Sequence, residues 1–318
     1  MTEETTAVSA DESKSTADAV DETVTPITNG EAIQITEMEQ TEPLNQDKQP
    51  TPEQVKTVQI GEPFIEIAKR CNLGMVRQRN EDAMFSFVAL TGGSNATSPF
   101  ALGLVADGMG GHHGGDQASR MVSRMVSQQV LNRIYLPMLR DNSPPPISEV
   151  MIDAVESANQ ALYTSDPEKE GGTTLTAVLI VGQRLFLVHV GDSRAYLYNK
   201  ADKTLQALTT DHTVVQRLQD AGHITAEEAE THPHRNFLYR AMTGHELEID
   251  TYTRSLPEQG KLLICSDGLW GAVEQERLLA ILDDEESSLQ NQVDLLIEAA
   301  LIGGSSDNIT AVVINFGY

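Results

Sequence analysis

The chain has 318 residues, 40% of them hydrophobic, and a formal net charge of -25. That length allows one large domain or two small ones, and no run approaches the ~18 uninterrupted apolar residues of a membrane helix. The charge argues against nucleic acid as a general partner, because phosphate backbones repel so acidic a surface.

Residues 1–60 form a separate compositional zone. Acids outnumber bases there by thirteen to three, and Phe, Tyr and Trp are absent. Such a segment buries too little apolar surface to offset its ordering entropy, so a disordered acidic tail is expected ahead of one folded unit at 61–318. The start, MTEETTAVSADESKS, has neither a basic nor an apolar segment, and no signal peptide is expected. The two cysteines, Cys71 and Cys265, stand in apolar contexts. That is no disulfide framework and fits a reducing cytoplasm.

From about residue 63 the pattern changes. PFIEIAKRCNLG and FALGLVAD read as strands. Residues 116–135 then place Ala118, Val122, Val126, Val130 and Ile134 four apart, as an amphipathic helix requires. DNSPPP at 141–146 breaks the chain. A second helix is predicted over 149–163, with Ser148 as its cap. TLTAVLIV, RLFLVHVGD, RAYLYN and KLLICSD follow as strands; several are apolar almost throughout, as strands covered on both faces would be. A helix over 289–302 stops at Gly303-Gly304, and NITAVVINF is the last strand. Two helices in succession and then three strands in succession do not make a doubly wound parallel sheet. The order suits an α+β fold of packed antiparallel sheets with helical pairs outside.

A local pattern recurs: a strand-like run meets an Asp followed by Gly, Ser or Asn. It occurs at Asp107-Gly108, Asp192-Ser193, Asp267-Gly268 and, ahead of its strand, Asp307-Asn308. One such dipeptide is ordinarily a turn. Four clustered carboxylates repel one another unless cations compensate, and oxygen ligands without Cys-His pairs point to Mg2+ or Mn2+ rather than zinc. A second cluster, Arg77-Gln-Arg-Asn-Glu81-Asp82, combines a guanidinium that could hold phosphate with acids that could hold metal-bound waters.

The motifs VRQRNEDAM, VADGMGGHHGG, GGTTLTAVLI, VHVGDSRAYLY, LTTDHTVVQ, LYRAMTG, LICSDGLWGAV and SSDNITAVVI arrive in one order. In this the chain resembles the protein phosphatase 2C-type (PPM) family of metal-dependent phosphatases, in its bacterial form, from about residue 65 onward. The resemblance implies a four-layer α-β-β-α sandwich with the metals at one end. It implies that Asp107 bridges two cations, that Asp267 and Asp307 complete one shell, and that the Gly108 carbonyl serves the other ion. Glu81 and Asp82 would hold coordinating waters, Asp192 would contribute to a third metal site, and Arg77 would bind phosphate. Residues 211–244 match the family's variable flap. The implied activity is hydrolysis of phosphoserine and phosphothreonine by water shared between the cations. Phosphorylated proteins, a Ser/Thr kinase or its targets among them, are the expected partners of a cytoplasmic monomer, with neither nucleic acid nor membrane involved. Met109 stands where some eukaryotic relatives carry a histidine, so the general acid is unassigned; neither His112 nor His113 has a claim to that role.

Two rival readings are set against this one. Cys71 and Arg77 satisfy the Cys-x5-Arg spacing of cysteine-based phosphatases, but the intervening Leu, Met and Val and the strand-like context do not make a phosphate cradle. A catalytically silent binding module with the same fold would be expected to lack one of the matched acids, and all are present. Trp270 and Cys265 read as core residues, His232-Pro233-His234 as flap loop, and Asn95-Ala-Thr97 as a glycosylation triplet without meaning in a cytoplasmic chain.

Overall fold

The computed structural model describes residues 63–90, 98–110, 114–140, 142–165 and 171–318. The acidic tail expected at 1–60, the Asn95–Thr97 triplet, His112 and His113 lie outside the described residues.

In chain order the first strands are β1 (Phe64–Asn72), β2 (Asp82–Ala89) and β3 (Phe100–Met109). Helix α1 (Gly114–Val130) runs through a π turn at Leu131–Tyr135 into the short α2 (Leu136–Met138), and α3 (Ile147–Ser165) follows. Next come β4 (Gly172–Thr173), β5 (Leu175–Val181), β6 (Arg184–Val190), β7 (Arg194–Asn199) and β8 (Thr204–Ala207). Helices α4 (Val214–Asp220) and α5 (Ala226–Glu230) precede β9 (Asp250–Ser255) and β10 (Gln259–Cys265). The chain closes with α6 (Asp267–Trp270), α7 (Gln275–Asp283), α8 (Leu289–Ile302) and β11 (Ile309–Gly317).

One sheet has the order β1-β11-β10-β7-β8; the other runs β2-β3-β5-β6-β9, with β4 attached to β3. Neighbouring strands pair antiparallel throughout. Strand alternation explains why the central runs are apolar at every position. On β10, Leu262 and Ile264 enter the layer between the sheets, with Val312, Ile314 and Phe316 of β11 and Ala101 and Val105 of β3. Leu263 and Cys265 of β10 point the other way, into a second core under α7 and α8. Leu102, Leu104 and Ala106 of β3 meet α1 and α3 in a third. Gly103 is small because the sheets close in there: a Cβ would stand 3.0 Å from Ile264 Cδ1. The two sheets and flanking helices form the α+β sandwich expected.

The predicted helices hold, with shifted ends. The stretch expected at 116–135 begins at Gly114, and the one at 289–302 has those limits, with the Ser288 side chain accepting from Asn291 N. Ser148 is not a cap. The helix starts one residue before it, at Ile147, and its hydroxyl instead lies 3.5 Å from Thr253 Oγ1. Strands β2, β4, β8 and β9 were not anticipated. Of the six residues of β9 only Arg254 is even partly buried, so this edge strand carries no hydrophobic signal.

Candidate active site

Five aspartates gather at one end of the sandwich because five strands begin or end there. Asp82 opens β2 and pairs in register with Asp107 near the end of β3. Asp192 follows β6, Asp267 is the first residue of α6 just after β10, and Asp307 stands two residues before β11. Burial raises the Asp107 carboxyl well above the usual carboxylate range, and the charges of Asp82, Asp267, Asp192 and Asp307 push it further. Asp192 is raised by burial and then by Asp267 and Asp211. Asp267 is pushed to about 7 by burial and by Asp307 and Asp82. Burial likewise takes Asp82 to about 6, against the opposing effect of hydroxyl donors from Thr310 and Ser266.

Local hydrogen bonds hold these acids in place. Ser266 Oγ and Thr310 Oγ1 both donate to Asp82 Oδ2, at 2.8 and 2.6 Å. Asp82 Oδ1 is buried without any partner, and so is Asp267 Oδ1. The backbone of Asp107 is gripped by Thr174, whose hydroxyl accepts from Asp107 N at 2.9 Å and whose N–H donates to Asp107 O at 2.8 Å. Asn308, 2% exposed, accepts from Glu81 N at 2.8 Å and donates to the carbonyls of Leu73 and Arg79. Gly108 N donates to Glu81 O at 3.1 Å, and a Cβ on Gly108 would collide with the carbonyls of Gly115 and Glu81. Arg77 donates to Asp307 Oδ2 at 2.6 Å and lies 3.6 Å from Glu81. These contacts, the Asp307 hydrogen bond first, raise its already high pKa.

The donor chemistry fits hard divalent cations. Two orphaned carboxylate oxygens and a set of acids driven toward protonation mark a place where positive charge relieves the largest local cost. Among the described residues, no three His, Cys, Asp or Glu side chains stand close enough to hold an ion unaided.

Residues 76–299 match the model of the protein phosphatase 2C family. The chain belongs to that family. It is 39% identical over 254 residues to the serine/threonine protein phosphatase PstP of Mycobacterium tuberculosis, covering 78% of this chain and 44% of that protein. The chain thus spans under half the length of that relative. A putative protein phosphatase 2C-type of Streptococcus pyogenes is 31% identical, over 79% of this chain and 97% of its own length. The crystal structure of the mycobacterial phosphatase superposes with a TM-score of 0.65 at 38% identity, covering 80% of this chain and 99% of that one. A second structure, of the PstP catalytic domain with two manganese ions, gives the same TM-score at 36% identity. These neighbours show the protein phosphatase 2C sandwich as the fold of this chain.

Beside the phosphatase 2C acid cluster runs a groove of about 790 Å³, bordered by Asp267 and Asp307, the 303–306 turn, α7, and the α4–α5 segment. The flap expected at 211–244 is therefore one wall of the groove that opens on the site. Arg194 fastens its base: two guanidinium nitrogens donate to Asp211 at 2.9 and 2.8 Å while the group lies 3.5 Å from the centre of the Trp270 ring. Trp270 packs at the edge of the α7–α8 core, and its indole N–H donates to the Asp192 carbonyl at 2.9 Å. Packing alone was expected of it; it also holds a site loop. Ser266, Thr310 and Thr174 were not singled out from sequence, since small polar residues at strand ends look like turns, and neither was Arg194, whose partner Asp211 is 17 residues away. Asp116, at the start of α1, has a third orphaned carboxylate oxygen and was likewise missed. Cys71 lies in β1, and burial raises its thiol pKa, the reverse of an activated nucleophile.

Proposed function

We propose that this chain is a metal-dependent protein serine/threonine phosphatase. The observation that carries the proposal is the convergence of five strand-end aspartates, two with orphaned buried oxygens, beside Arg77. The folded unit of the proposal is 61–318, with residues 1–60 outside it. The PstP catalytic domain was solved with two manganese ions, and the present acids suit Mg2+ or Mn2+ in the same number, with a third where Asp192 lies.

When bound, such ions supply Lewis acidity and a water of lowered pKa for attack on phosphorus. Asp107 would be the ligand shared between them, Asp267 and Asp307 would serve one, and the Gly108 carbonyl the other. Glu81 and Asp82 would hold coordinating waters. Ser266 and Thr310 fix the Asp82 carboxylate so that Oδ1 keeps its direction. Arg77 is 45% exposed and paired with Asp307 and Glu81; its guanidinium fork can turn from those carboxylates to the phosphoryl oxygens and stabilise their charge. Met109, 37% exposed at the end of β3, has no proton to give, and the departing serine or threonine oxygen would take its proton from water. The substrates are phosphorylated proteins, including a Ser/Thr kinase or its targets, met by a cytoplasmic monomer. Relatives named as serine/threonine phosphatases support this, and no helix among the described residues is long and apolar enough to cross a membrane. The silent-module reading is disfavoured because each matched acid is present and clustered.

The test is phosphate release from a phosphothreonine peptide with Mn2+, with Mg2+ and with EDTA, each with and without a thiol alkylator. Turnover that needs the cation and ignores alkylation is expected. Metal-independent, alkylation-sensitive turnover would return the chemistry to Cys71, and no turnover on any phosphoprotein would favour the binding module.

A further inference from the structure

The loop from Leu73 to Arg77 pairs unusual exposure with unusual fixation. Met75 is 70% exposed and Val76 67%, with Leu73 at 41%. Among the described large hydrophobic residues only Ile302 is more open than Met75. Open apolar side chains on a slack loop need no explanation, but this loop is not slack. Gly74 N donates to Asn72 Oδ1 at 2.8 Å. Gly74 has φ +76° and packs so closely on the Asp307 carbonyl that a Cβ would collide with it. The buried Asn308 amide uses its donors on the carbonyls of Leu73 and Arg79, at 2.9 and 3.0 Å. Two apolar side chains are thus held in the open immediately before Arg77, on a loop fastened to Asp307 and Asn308. A contact surface kept in fixed position costs little further entropy when it is covered.

We propose that Met75 and Val76 form an apolar collar that receives the side chain next to the phosphorylated residue, selecting phosphopeptides with a large apolar neighbour over those with an acidic one. The assignment rests on the phosphatase reading of Arg77 and the acid cluster. An acidic neighbour finds no counterion in Arg77, which is committed to Asp307 and Glu81 and, in the reaction, to phosphate. It also meets a protein of net charge -25. An apolar neighbour instead removes its own surface and that of the collar from water.

The experiment uses the full chain, unaltered and as the double variant Met75→Ser/Val76→Ser. Its three substrates are a phosphothreonine peptide with Leu on both sides, the same peptide with Asp, and phosphothreonine with blocked termini and no neighbours. The unaltered protein is expected to prefer the Leu peptide. In the variant KM for that peptide should rise on the order of tenfold with kcat within about twofold, as loss of a binding contact requires. The other two substrates should be unaffected, and Met75→Leu with Val76 retained should restore the preference. An equal change on all three substrates, or none on any, overturns the collar while leaving the phosphatase reading intact. Faster turnover of all three would show the collar covered by another part of the chain, and overturns it too. Failure of the unaltered protein on every substrate with Mn2+ and Mg2+ removes the phosphatase reading and the collar with it.

Discussion

At Asp82 two hydroxyls take one carboxylate oxygen and leave the other, buried, for the centre of the cluster. Thr310→Val keeps the shape and removes one of these donors. Asp82 is then free to turn, and metal affinity should fall on the order of 10- to 100-fold, with stability down by about 1 kcal/mol. Titrating the melting temperature with Mn2+ reads both, and an unchanged midpoint would show that Ser266 alone suffices. Asp107 lies at the crossing of every repulsion in the site. Asp107→Asn should therefore abolish phosphate release yet raise the melting temperature measured in EDTA, because one buried charge is gone. Normal activity in that variant would end the metal assignment. The acids themselves were legible as a repeated strand-end pattern. Their supports were not: Ser266, Thr174 and Thr310 matter through hydroxyl bonds to residues far away in sequence, as Ser266 and Thr310 do to Asp82, 184 and 228 residues distant.

The elements most readable in sequence were those buried on both sides, such as β5, β10 and β11, where the core leaves no room for polar residues. Those that shape access were not. The flap has two short helices, held by Thr213 and by a Thr225–Glu228 capping box rather than by an apolar stripe. Its attachment is the Arg194–Asp211 pair under Trp270. Asp211 has a side chain only 7% exposed, so Arg194→Met leaves a buried carboxylate unpaired at a cost of roughly 3–5 kcal/mol. Melting should register that loss, and limited proteolysis should show new cleavage between 211 and 244 relative to the unaltered protein. No new cleavage there would mean that the flap is fastened by other contacts, such as the Arg240–Asp250–His212 group.

At the scale of the whole molecule, the sheets concentrate at one end a charge that folding alone does not favour, in a chain already at -25. Carboxyls raised to about 6 and about 7, as Asp82 and Asp267 are, bind protons more tightly in the folded protein than in the unfolded chain. Their penalty is therefore absent below the ordinary carboxylate value of 3.8, grows as pH rises above it, and levels off once pH has passed about 7. His189 acts in the opposite direction: burial first, then His212, lowers it to about 3, so its penalty appears only as pH falls below about 6.5. Between pH 6.5 and 8 the site acids are left as the distinguishing slope. Melting temperature in EDTA should fall across that interval. With saturating Mg2+ the acids are compensated and the fall should be smaller, making the gain from Mg2+ larger at pH 8 than at pH 6.5. A gain independent of pH would mean that cations bind without displacing protons from Asp82, Asp107 and Asp267, and the ligand assignment would then have to move to groups ionised throughout.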